Sequence, residues 1–493
     1  MIKVYNTLTD QKEDFVPVEE GRVRMYVCGL TVQNYSHVGH IRSAVNYDVI
    51  RRYLQYKGYD VLFVMNFTDV NEKIIRRARE EELTPEELAG KYTRAYLEDI
   101  DRMNILRADA YCTATVNIEQ IINFISRLVE KGYAYEAEGN VYFSVEKYED
   151  YGKLSGRKLE EMEAGSRVSV QKEKKHPQDF ALWKKVPQDM QQQEEVQVWD
   201  SPWGPGWPGW HIECSAMAVK FLGQKIDIHG GGTDLIFPHH ENEIAQSEAC
   251  FSQSPFVKYW LHNGTVDIKG EKMSKSLGNF FTTRELLKKF SADQVRYFLL
   301  TKHYHSPLEF SLEEVENSAV SFERIENIYN TLQHLTARVP DKSDLSFATG
   351  SFLEMLSKAS SSFEAAMDDD FNTAKALGEV HNFIGEINSL VNDPQFELTE
   401  ETAFILNKAY RLLKKILSVL GFQLATAGRE QEDRVEGEFS EKLLDFIFQI
   451  REKAREEENW QQADNIRDRL SELGITIRDT AHGPVWTLEE RDD

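Results

Sequence analysis

The sequence predicts an α/β fold built on a doubly wound parallel sheet, with a helical region after it. Three observations support this prediction. A strand over 25–27, a helix over 41–56 and a strand over 61–67 follow one another, as in a parallel βαβ unit. Residues 61–65 are all apolar, which is typical of a strand covered on both faces. From about 312 to 420, apolar side chains recur at steps of three and four, which indicates a helical bundle.

The other elements are predicted from the same periodicities and from the breaks between them. In chain order they are a helix over 118–131, a strand over 141–143, a glutamine-rich loop over 188–197, a resumed sheet over 210–237, helices over 283–290 and 293–301, a charged linker over 426–438, helices over 441–457 and 461–473, and an extended stretch over 475–486. The first three of these form a segment inserted into the sheet domain, so the sheet domain is predicted to be discontinuous.

Composition limits the class of protein. The chain has 493 residues, 41% of them hydrophobic and 28% charged, which is ordinary globular composition and enough for about three or four domains. No run of about eighteen apolar residues occurs, and the first residues resemble a strand, so we expect a cytosolic protein. The cysteines show no disulfide spacing and are expected to be reduced thiols. They are Cys28, Cys112, Cys214 and Cys250.

The net charge of −24 argues against a protein that coats nucleic acid. Any RNA would have to be held by local basic patches. Candidate patches are the residues 76–79, 172–175 and 411–415, although a solvated helix face or loop is the more common explanation of each patch taken alone.

Two short motifs together indicate that the protein uses ATP. They are HVGH at 37–40 and KMSKS at 272–276. Gly39 lets a nucleotide approach the backbone between two imidazoles, and the lysines bring positive charge to a polyphosphate. Such groups stabilise the charge that develops when a carboxylate attacks an α-phosphate, so the implied step is adenylyl transfer. A histidine-glycine turn alone could be an ordinary loop, and KMSKS supplies most of the specificity.

A second constellation suggests zinc. Cys28 ends the strand just before HVGH, and His239 and Glu243 are four residues apart at the start of a predicted helix. With Cys214 they would supply two thiolates, one imidazole and one carboxylate. Taken singly, each cysteine could be a small buried hydrophobic residue, and His239 or His240 a capping or core group.

Longer stretches match one known family. They are YVCGLTV at 26–32, NFTD at 66–69, PGWHIECSAM at 208–217, IHGGGTD at 228–234, PHHENEIAQ at 238–246 and KMSKSLGN at 272–279. Over essentially its whole length the chain resembles the cysteinyl-tRNA synthetases, a family of class I aminoacyl-tRNA synthetases. The resemblance implies a Rossmann-like catalytic domain with an inserted domain, a C-terminal helical bundle and a small anticodon-binding domain.

The resemblance also implies an activity. The enzyme would activate L-cysteine with ATP and Mg²⁺ to cysteinyl-adenylate, release pyrophosphate, and transfer cysteine to the 3′ end of tRNA(Cys), as a cytoplasmic monomer. One zinc ion per chain would bind the substrate thiolate and so select cysteine over serine. The implied zinc ligands are Cys28, Cys214, His239 and Glu243. The implied catalytic residues are His37, His40, Lys272 and Lys275. ATP contacts would be Thr31, His37, His40, His229, Gly231 and Lys275, and amino acid contacts Gly29, Thr68, Trp210 and Asp234.

The expected domains combine the predicted elements with this resemblance. They are 1–115 and 201–270 for the two halves of the catalytic domain, 116–200 for the insertion, 271–311 for the KMSKS loop and stem-contact region, 312–425 for the tRNA-binding bundle, and 439–493 for the anticodon-binding domain. In the last domain Arg478, Asp479 and Trp486 are candidate contacts to unstacked bases.

Some positions differ from the residues frequent in the family. They are Gln33, Asn71, Glu72 and Trp207, and none is a nominated zinc or phosphate ligand. Two other hypotheses stay open at this point. One is a ligase that gives cysteine to an amino sugar, for which the helical region after 312 is unexpectedly large. The other is a catalytically silent protein that binds tRNA or senses zinc or cysteine, in which the phosphate-binding residues would be expected to be lost.

Overall fold

The fold was analysed in a computed structural model. It describes residues 1–158, 173–186, 197–268, 271–272, 281–336, 350–394, 396–424, 447, 449–451, 453–454, 459–472, 475–480 and 483–488. Contacts between residues divide the chain into two compact units, Met1–Phe422 and Gln423–Asp493. None of the helices within these ranges has the length and apolar character that crossing a membrane requires.

The described strands of the first unit form a five-stranded sheet, a four-stranded sheet, a three-stranded sheet and an N-terminal hairpin. In chain order the strands are β1 (Lys3–Asn6), β2 (Gln11–Asp14), β3 (Arg22–Val27), β4 (Asp60–Phe67), β5 (Ala110–Thr113), β6 (Ala134–Ala137), β7 (Asn140–Phe143), β8 (Phe180–Lys185), β9 (Gly206–Pro208), β10 (Ile226–Gly232), β11 (Val257–Asn263), β12 (Val266–Ile268), β13 (Glu271–Lys272) and β14 (Leu308–Glu309).

The α-helices of the first unit cover the sheets and then form the bundle. They are α1 (Val38–Tyr56), α2 (Glu72–Glu80), α3 (Pro85–Arg102), α4 (Ile118–Glu130), α5 (Trp210–Leu222), α6 (Glu241–Phe251), α7 (Thr283–Leu286), α8 (Ala292–Leu300), α9 (Leu312–Thr336), α10 (Gly350–Asp368), α11 (Thr373–Val391) and α12 (Glu400–Val419).

The five-stranded sheet is parallel, with the strand order β11-β10-β3-β4-β5. The chain runs outward from β3 to β5 on one side, then returns and runs from β10 to β11 on the other. This confirms the predicted doubly wound sheet and puts its switch point between β3 and β10, where such sheets bind ligands. Strand β4 is buried from Phe63 to Phe67, but Leu62 near its start is 41% exposed, so only the later part of the strand is covered on both faces.

The inserted segment contains the antiparallel sheet β6-β7-β8-β9. Its last strand extends to Pro208, and most of the predicted loop over 188–197 falls outside the described residues. The segment in which the sheet was predicted to resume begins instead with the helix α5, and the strand β10 starts at Ile226. Residues 212–218 of α5 are buried on every side, polar Glu213 and Ser215 included, so the stretch lacks the alternation of polar and apolar faces that identifies a helix from sequence.

The predicted helical region after 312 is confirmed by α9 to α12. Leu406, Leu413, Leu417 and Leu420 are all buried along α12 and its end, as their spacing predicts. Asp370, in the turn between α10 and α11, links the bundle to the rest of the first unit. Its carboxylate accepts hydrogen bonds from the N–H of Tyr5 in β1 and from the hydroxyl of Tyr304.

The second unit has a helix α13 (Trp460–Glu472) and a hairpin of β15 (Ile475–Thr480) and β16 (Gly483–Leu488). Ile477 pairs with Trp486 across the hairpin, and Arg478 pairs with Val485. The helix predicted over 461–473 is confirmed by α13, and the extended stretch predicted over 475–486 is the hairpin of β15 and β16. The predicted linker over 426–438, and most of the helix predicted over 441–457, lie outside the described residues.

Candidate active site and metal centre

A cavity of about 800 Å³ opens where β3, β10 and β11 end. Its wall includes residues that follow each of these strands, and the first turns of α1. Because the strands are parallel, their carboxyl ends share one edge of the sheet, and this edge lies at the topological switch point. The cavity therefore occupies the place where the fold is expected to bind its ligand.

The cavity wall contains most of the residues that the sequence assigns to substrates. These are Gly29, Thr31, His37, His40, Trp210 and Asp234. Thr68, His229 and Gly231 do not line the cavity and are buried beside it. Lys272 ends the short strand β13, and Lys275 falls outside the described residues.

The two histidines of HVGH lie side by side at the start of α1. Their rings stack with centroids 3.7 Å apart. Nδ1 of His37 accepts the N–H of Gly39 at 3.0 Å, so Nε2 is the donor atom of that ring. Burial lowers the pKa of His40 well below its usual value, which keeps the ring neutral. An imidazole pair at a helix N-terminus is suited to bind phosphate oxygens.

Four side chains converge next to the cavity: Cys28, Cys214, His239 and Glu243. Each offers one ligand atom, and these atoms all lie within 4.8 Å of one another. Cys28 follows β3 and Cys214 lies in α5, whereas His239 belongs to an irregular turn over 236–240. The predicted helix start is thus displaced, because α6 begins only at Glu241. Nε2 of His239 nevertheless approaches Oε1 of Glu243 to 3.0 Å, the contact that the spacing predicts.

The distances within this group fit a tetrahedral zinc ion. Sγ of Cys28 is 3.7 Å from Sγ of Cys214 and 3.5 Å from Oε1 of Glu243. Zn–S bonds of about 2.3 Å and Zn–O bonds of about 2.0 Å, at tetrahedral angles, give an S–S separation of about 3.8 Å and an S–O separation of about 3.5 Å. The two sulfur atoms are far too distant for a disulfide, whose bond is about 2.0 Å. The donor set of two thiols, one imidazole and one carboxylate also suits zinc.

The charges of these groups depend on one another. Burial raises the pKa of Cys28 well above its usual value, whereas a hydrogen bond from Cys28 lowers the pKa of Cys214 to about 6. Burial opposes the charge of Glu243, but His229 and His239 lower its pKa to about 2. Burial also opposes a proton on His239, but Glu243 and Cys214 raise its pKa to about 10. The group therefore carries net negative charge near neutral pH, which favours binding of a cation.

A second set of ligand atoms overlaps the first. Cys28, His229, His240 and Glu243 also bring their ligand atoms within 4.8 Å of one another. Nε2 of His229 is 3.5 Å from Sγ of Cys28 and 3.5 Å from Oε2 of Glu243. The two sets share Cys28 and Glu243 and differ in their other two members. Only the first set supplies two thiols, the ligands that structural and substrate-binding zinc sites favour.

The amino acid side of the cavity is bounded by Trp210 and Gly29. The indole of Trp210 stacks on the ring of His239, with centroids 4.4 Å apart. The N–H of Gly29 donates to Oδ1 of Asn66 at 2.9 Å, and a Cβ on Gly29 would lie 1.7 Å from the backbone oxygen of Asn66. Oγ1 of Thr68 donates to the buried Glu213 at 3.4 Å. Because the Asn66 backbone leaves no room for a Cβ, position 29 of the cavity wall requires glycine.

Several residues around the site were not identified from the sequence. Asn66 fixes the backbone of Gly29, and the hydroxyl of Tyr47 bonds both the N–H and the carbonyl of Gly231. His211 approaches His239, with their Nδ1 atoms 2.9 Å apart. These residues stood in or near quoted motifs, but only the folded arrangement reveals which atoms they contact.

Three known protein families match successive parts of the chain, which correspond to the sheet domain with its insertion, the bundle and the second unit. Residues 14–320 match tRNA synthetases class I (C) catalytic domain. Residues 362–425 match the DALR domain, and residues 444–486 match the Cysteinyl-tRNA ligase anticodon binding domain.

Solved structures support the fold. Methionyl-tRNA synthetase of Mycobacterium tuberculosis, in complex with methionyl-adenylate, is similar with a TM-score of 0.64 and 16% identity, over 81% of this chain and 91% of that chain. A putative arginyl-tRNA synthetase of Campylobacter jejuni has a TM-score of 0.57 and 14% identity, over 83% of this chain and 95% of its own. Both synthetases share the fold of this chain. At 16% and 14% identity, the similarity concerns the fold alone.

Curated relatives are much more similar in sequence. Cysteine-tRNA ligase of Thermococcus onnurineus is 48% identical over 494 residues, covering 98% of both chains. Those of Pyrococcus furiosus and Desulforamulus reducens are 48% and 47% identical, and cover 99% and 98% of this chain and 99% of their own lengths. This identity along nearly the whole length, together with the catalytic and anticodon-binding domains, shows that the chain belongs to the cysteinyl-tRNA synthetase family.

Proposed function

We propose that the cavity and the four-ligand group beside it form the site at which this cysteine-tRNA ligase activates its amino acid. The enzyme converts L-cysteine and ATP to cysteinyl-adenylate and pyrophosphate, and transfers cysteine to the 3′ end of tRNA(Cys). The observation that carries the assignment of the site is the convergence of two cysteines, a histidine and a glutamate at a cavity that also contains HVGH.

In this proposal Cys28, Cys214, His239 and Glu243 hold one zinc ion. Zinc supplies a Lewis acid that binds a thiolate in strong preference to a serine hydroxyl, which remains protonated at neutral pH. The indole of Trp210, stacked on His239, forms the side of the pocket next to the ligand group. Selection by ligand chemistry can exceed what a pocket of fitting shape provides, so no editing step is needed.

Other residues at the cavity wall, together with Thr68 buried beside it, position the two substrates. Thr68 and Asp234 hold the ammonium group of cysteine, and Gly29 lets the backbone of the amino acid approach the sheet. The carboxylate of cysteine then lies toward the start of α1, where ATP binds. Such positioning replaces a bimolecular encounter by an oriented attack of the carboxylate on the α-phosphate.

The ATP phosphates are bound by the histidines of HVGH and the lysines of KMSKS. Nε2 of His37 and the neutral ring of His40 donate hydrogen bonds to the α-phosphate as its charge grows, and the N-terminus of α1 adds its partial positive charge. Lys272 and Lys275 supply charge to the departing pyrophosphate with its Mg²⁺. Thr31 contacts the nucleotide from the turn after β3.

The backbone of β10 at His229 and Gly231 supports the adenosine side of the cavity in this proposal. Transfer to tRNA follows at the same cavity, and the DALR and anticodon-binding domains support tRNA(Cys) as the partner. A single cytosolic subunit as the working form stays a prediction from the sequence.

The test is cysteine-dependent exchange between ATP and pyrophosphate. We expect exchange with cysteine and a rate at least 100-fold lower with serine. The Cys214→Ala variant should lose both exchange and bound zinc, because one of two thiolate ligands is gone. Zinc content is measured by mass spectrometry on the same preparations, and charging of tRNA(Cys) is measured in parallel.

Cys250→Ala is the matched control, since Cys250 is equally buried but lies outside the ligand group. It should keep zinc and exchange. Full exchange in a zinc-free Cys214→Ala protein would contradict the proposed ligand set. Absence of exchange in folded wild-type protein loaded with zinc would contradict the proposed site as a whole.

A further inference from the structure

One hydrogen bond of the ligand group involves a residue that has no role in the site so far. Nδ1 of His211 lies 2.9 Å from Nδ1 of His239. The opposite ring nitrogen of His239, Nε2, faces Glu243 at 3.0 Å. His239 is therefore bound at both nitrogens, on one side by the ligand group and on the other by His211.

The chemistry of imidazole fixes which atom donates in this pair. A neutral histidine that gives the lone pair of Nε2 to a metal must carry its proton on Nδ1. That N–H needs an acceptor because the ring of His239 is only 1% exposed. Nδ1 of His211 is the atom within reach, so it accepts, and the proton of the His211 ring resides on Nε2.

The same bond fixes the orientation of the His239 ring. A half-turn about its Cβ–Cγ bond would exchange Nδ1 with a carbon, and would turn Cε1 in place of Nε2 toward Glu243. Stacking on Trp210 leaves both orientations equally favourable, because it holds the plane of the ring only. The hydrogen bond to His211 distinguishes them, and its loss would leave a buried N–H without a partner.

His211 is itself held in place. It lies in the first turn of α5, three residues before Cys214, and its backbone carbonyl accepts a hydrogen bond from the Gln246 amide at 3.1 Å. Its ring meets Phe180 of the inserted sheet edge-on, with centroids 5.8 Å apart. α5 thus supplies one ligand, Cys214, and the acceptor that orients another.

We infer that His211 is a positioning residue of the metal centre, whose Nδ1 accepts the Nδ1–H of His239 and so presents Nε2 of His239 to the ion. The inference rests on the proposed function, in which His239 is a zinc ligand. Outer hydrogen-bond partners of metal-bound histidines typically contribute 10- to 100-fold to metal affinity. His211 is expected to act within that range.

The test compares two polar substitutions of similar size. The amide oxygen of His211→Asn can occupy the place of Nδ1 and accept the same hydrogen bond, whereas the longer side chain of His211→Gln mimics Nε2 and cannot. We expect the zinc dissociation constant, measured by competition with a chromogenic chelator, to rise about 10- to 100-fold in His211→Gln and to stay within about threefold of wild type in His211→Asn. In cobalt-substituted protein, the thiolate-to-cobalt absorption should shift in His211→Gln only.

Equal zinc affinity in His211→Gln and wild type would overturn the inference. So would an equal loss in both variants, because that result indicates a role in packing or in direct ligation. Thermal unfolding of the zinc-free proteins shows whether either variant fails to fold. If His211→Gln does not fold, the zinc affinity of His211→Asn decides. An affinity within about threefold of wild type supports the inference, and a larger loss contradicts it. Failure of the proposed zinc site itself is distinguishable, since wild type would then lack zinc or Cys214→Ala would retain it.

Discussion

At the scale of single residues, the site depends on how closely the backbones of neighbouring strands approach. Gly29 follows directly on Cys28, a proposed zinc ligand, and its α-carbon packs against the carbonyl of Asn66 near the end of β4. The neighbour is backbone and cannot move aside as a flexible side chain could. The position of Cys28 is therefore tied to β4 through the glycine beside it.

We predict that Gly29→Ala displaces this turn. The added Cβ would lie 1.7 Å from the Asn66 oxygen, so the strands must separate, at a cost of about 1–3 kcal/mol in the free energy of unfolding. Cysteine-dependent exchange should fall at least tenfold, because Cys28 and the amino acid pocket move together. Gly378→Ala is the control, since Gly378 lies within α11 with open space around it and the alanine should stabilise the helix by about 0.5–1 kcal/mol. Unchanged exchange in Gly29→Ala would contradict this account of the turn.

From the sequence, the chemically distinctive residues of the candidate site were easier to identify than the residues that hydrogen-bond to them. Cys28, Cys214 and the HVGH motif stand out because thiols and paired imidazoles are rare and reactive groups. His211 and Asn66 act through one hydrogen bond each, and nothing in their spacing shows which atom lies opposite. Such contacts join residues far apart in the chain, so they depend on the complete fold.

At the scale of elements, Asp370 connects three parts of the first unit. It lies between α10 and α11, and Oδ1 accepts from the Tyr5 N–H of β1 at 2.8 Å and from the Tyr304 hydroxyl at 2.9 Å. Burial raises the pKa of Asp370 to about 6, although these bonds and the charges of Lys12 and His305 act in the opposite direction. The Nε2 atom of His303 is 3.5 Å from the carboxylate.

We predict that this carboxyl group makes stability depend on pH. The unfolded chain releases the proton near pH 4 and the folded chain near pH 6, so the folded state binds more protons in between. The contribution of Asp370 to stability is then fully present below about pH 4 and declines as pH rises to about 6, by about 3 kcal/mol in total. Unfolding by denaturant should show wild type losing this much relative to Asp370→Asn between pH 4 and pH 7. A constant difference between the two proteins across that range would contradict the prediction.

Regular periodicity predicted most elements, and its two failures have different causes. The helices of the bundle each have one buried face, so their steps of three and four were distinct. In helix α5, residues 212–218 are all buried, including the polar Glu213 and Ser215, so no polar face reveals the helical period. The turn over 236–240 was taken into the next helix because the contact of His239 with Glu243 at four residues imitates helical spacing.

At the scale of the whole molecule, the described cavity wall and the ligand group belong entirely to the unit Met1–Phe422. The anticodon-binding domain matches 444–486, within the unit Gln423–Asp493. Chemistry on small substrates and discrimination of the RNA are therefore assigned to different compact units.

We predict that a chain ending at Phe422 separates the two half-reactions. Exchange between ATP and pyrophosphate should stay within about threefold of the full chain, whereas the kcat/KM for charging tRNA(Cys) should fall at least 100-fold. Both are measured at equal zinc content, with circular dichroism as the control for folding. Charging at the full rate would contradict a role of the second unit in selecting tRNA, and loss of exchange in a folded, zinc-containing protein would contradict its independence.

The dispersed positions of the four proposed zinc ligands in the sequence have a consequence during protein synthesis. Cys28 leaves the ribosome early, but His239 and Glu243 follow only after about 210 further residues, because most of the sheet domain and the inserted segment lie between them. At about 5–20 residues per second, Cys28 spends roughly ten to forty seconds as a nascent thiol without its partners. In the proposed site, all four ligands become available to zinc only once both halves of the parallel sheet have been synthesised. We therefore expect zinc binding to follow synthesis of the inserted segment and of the second half of the sheet domain.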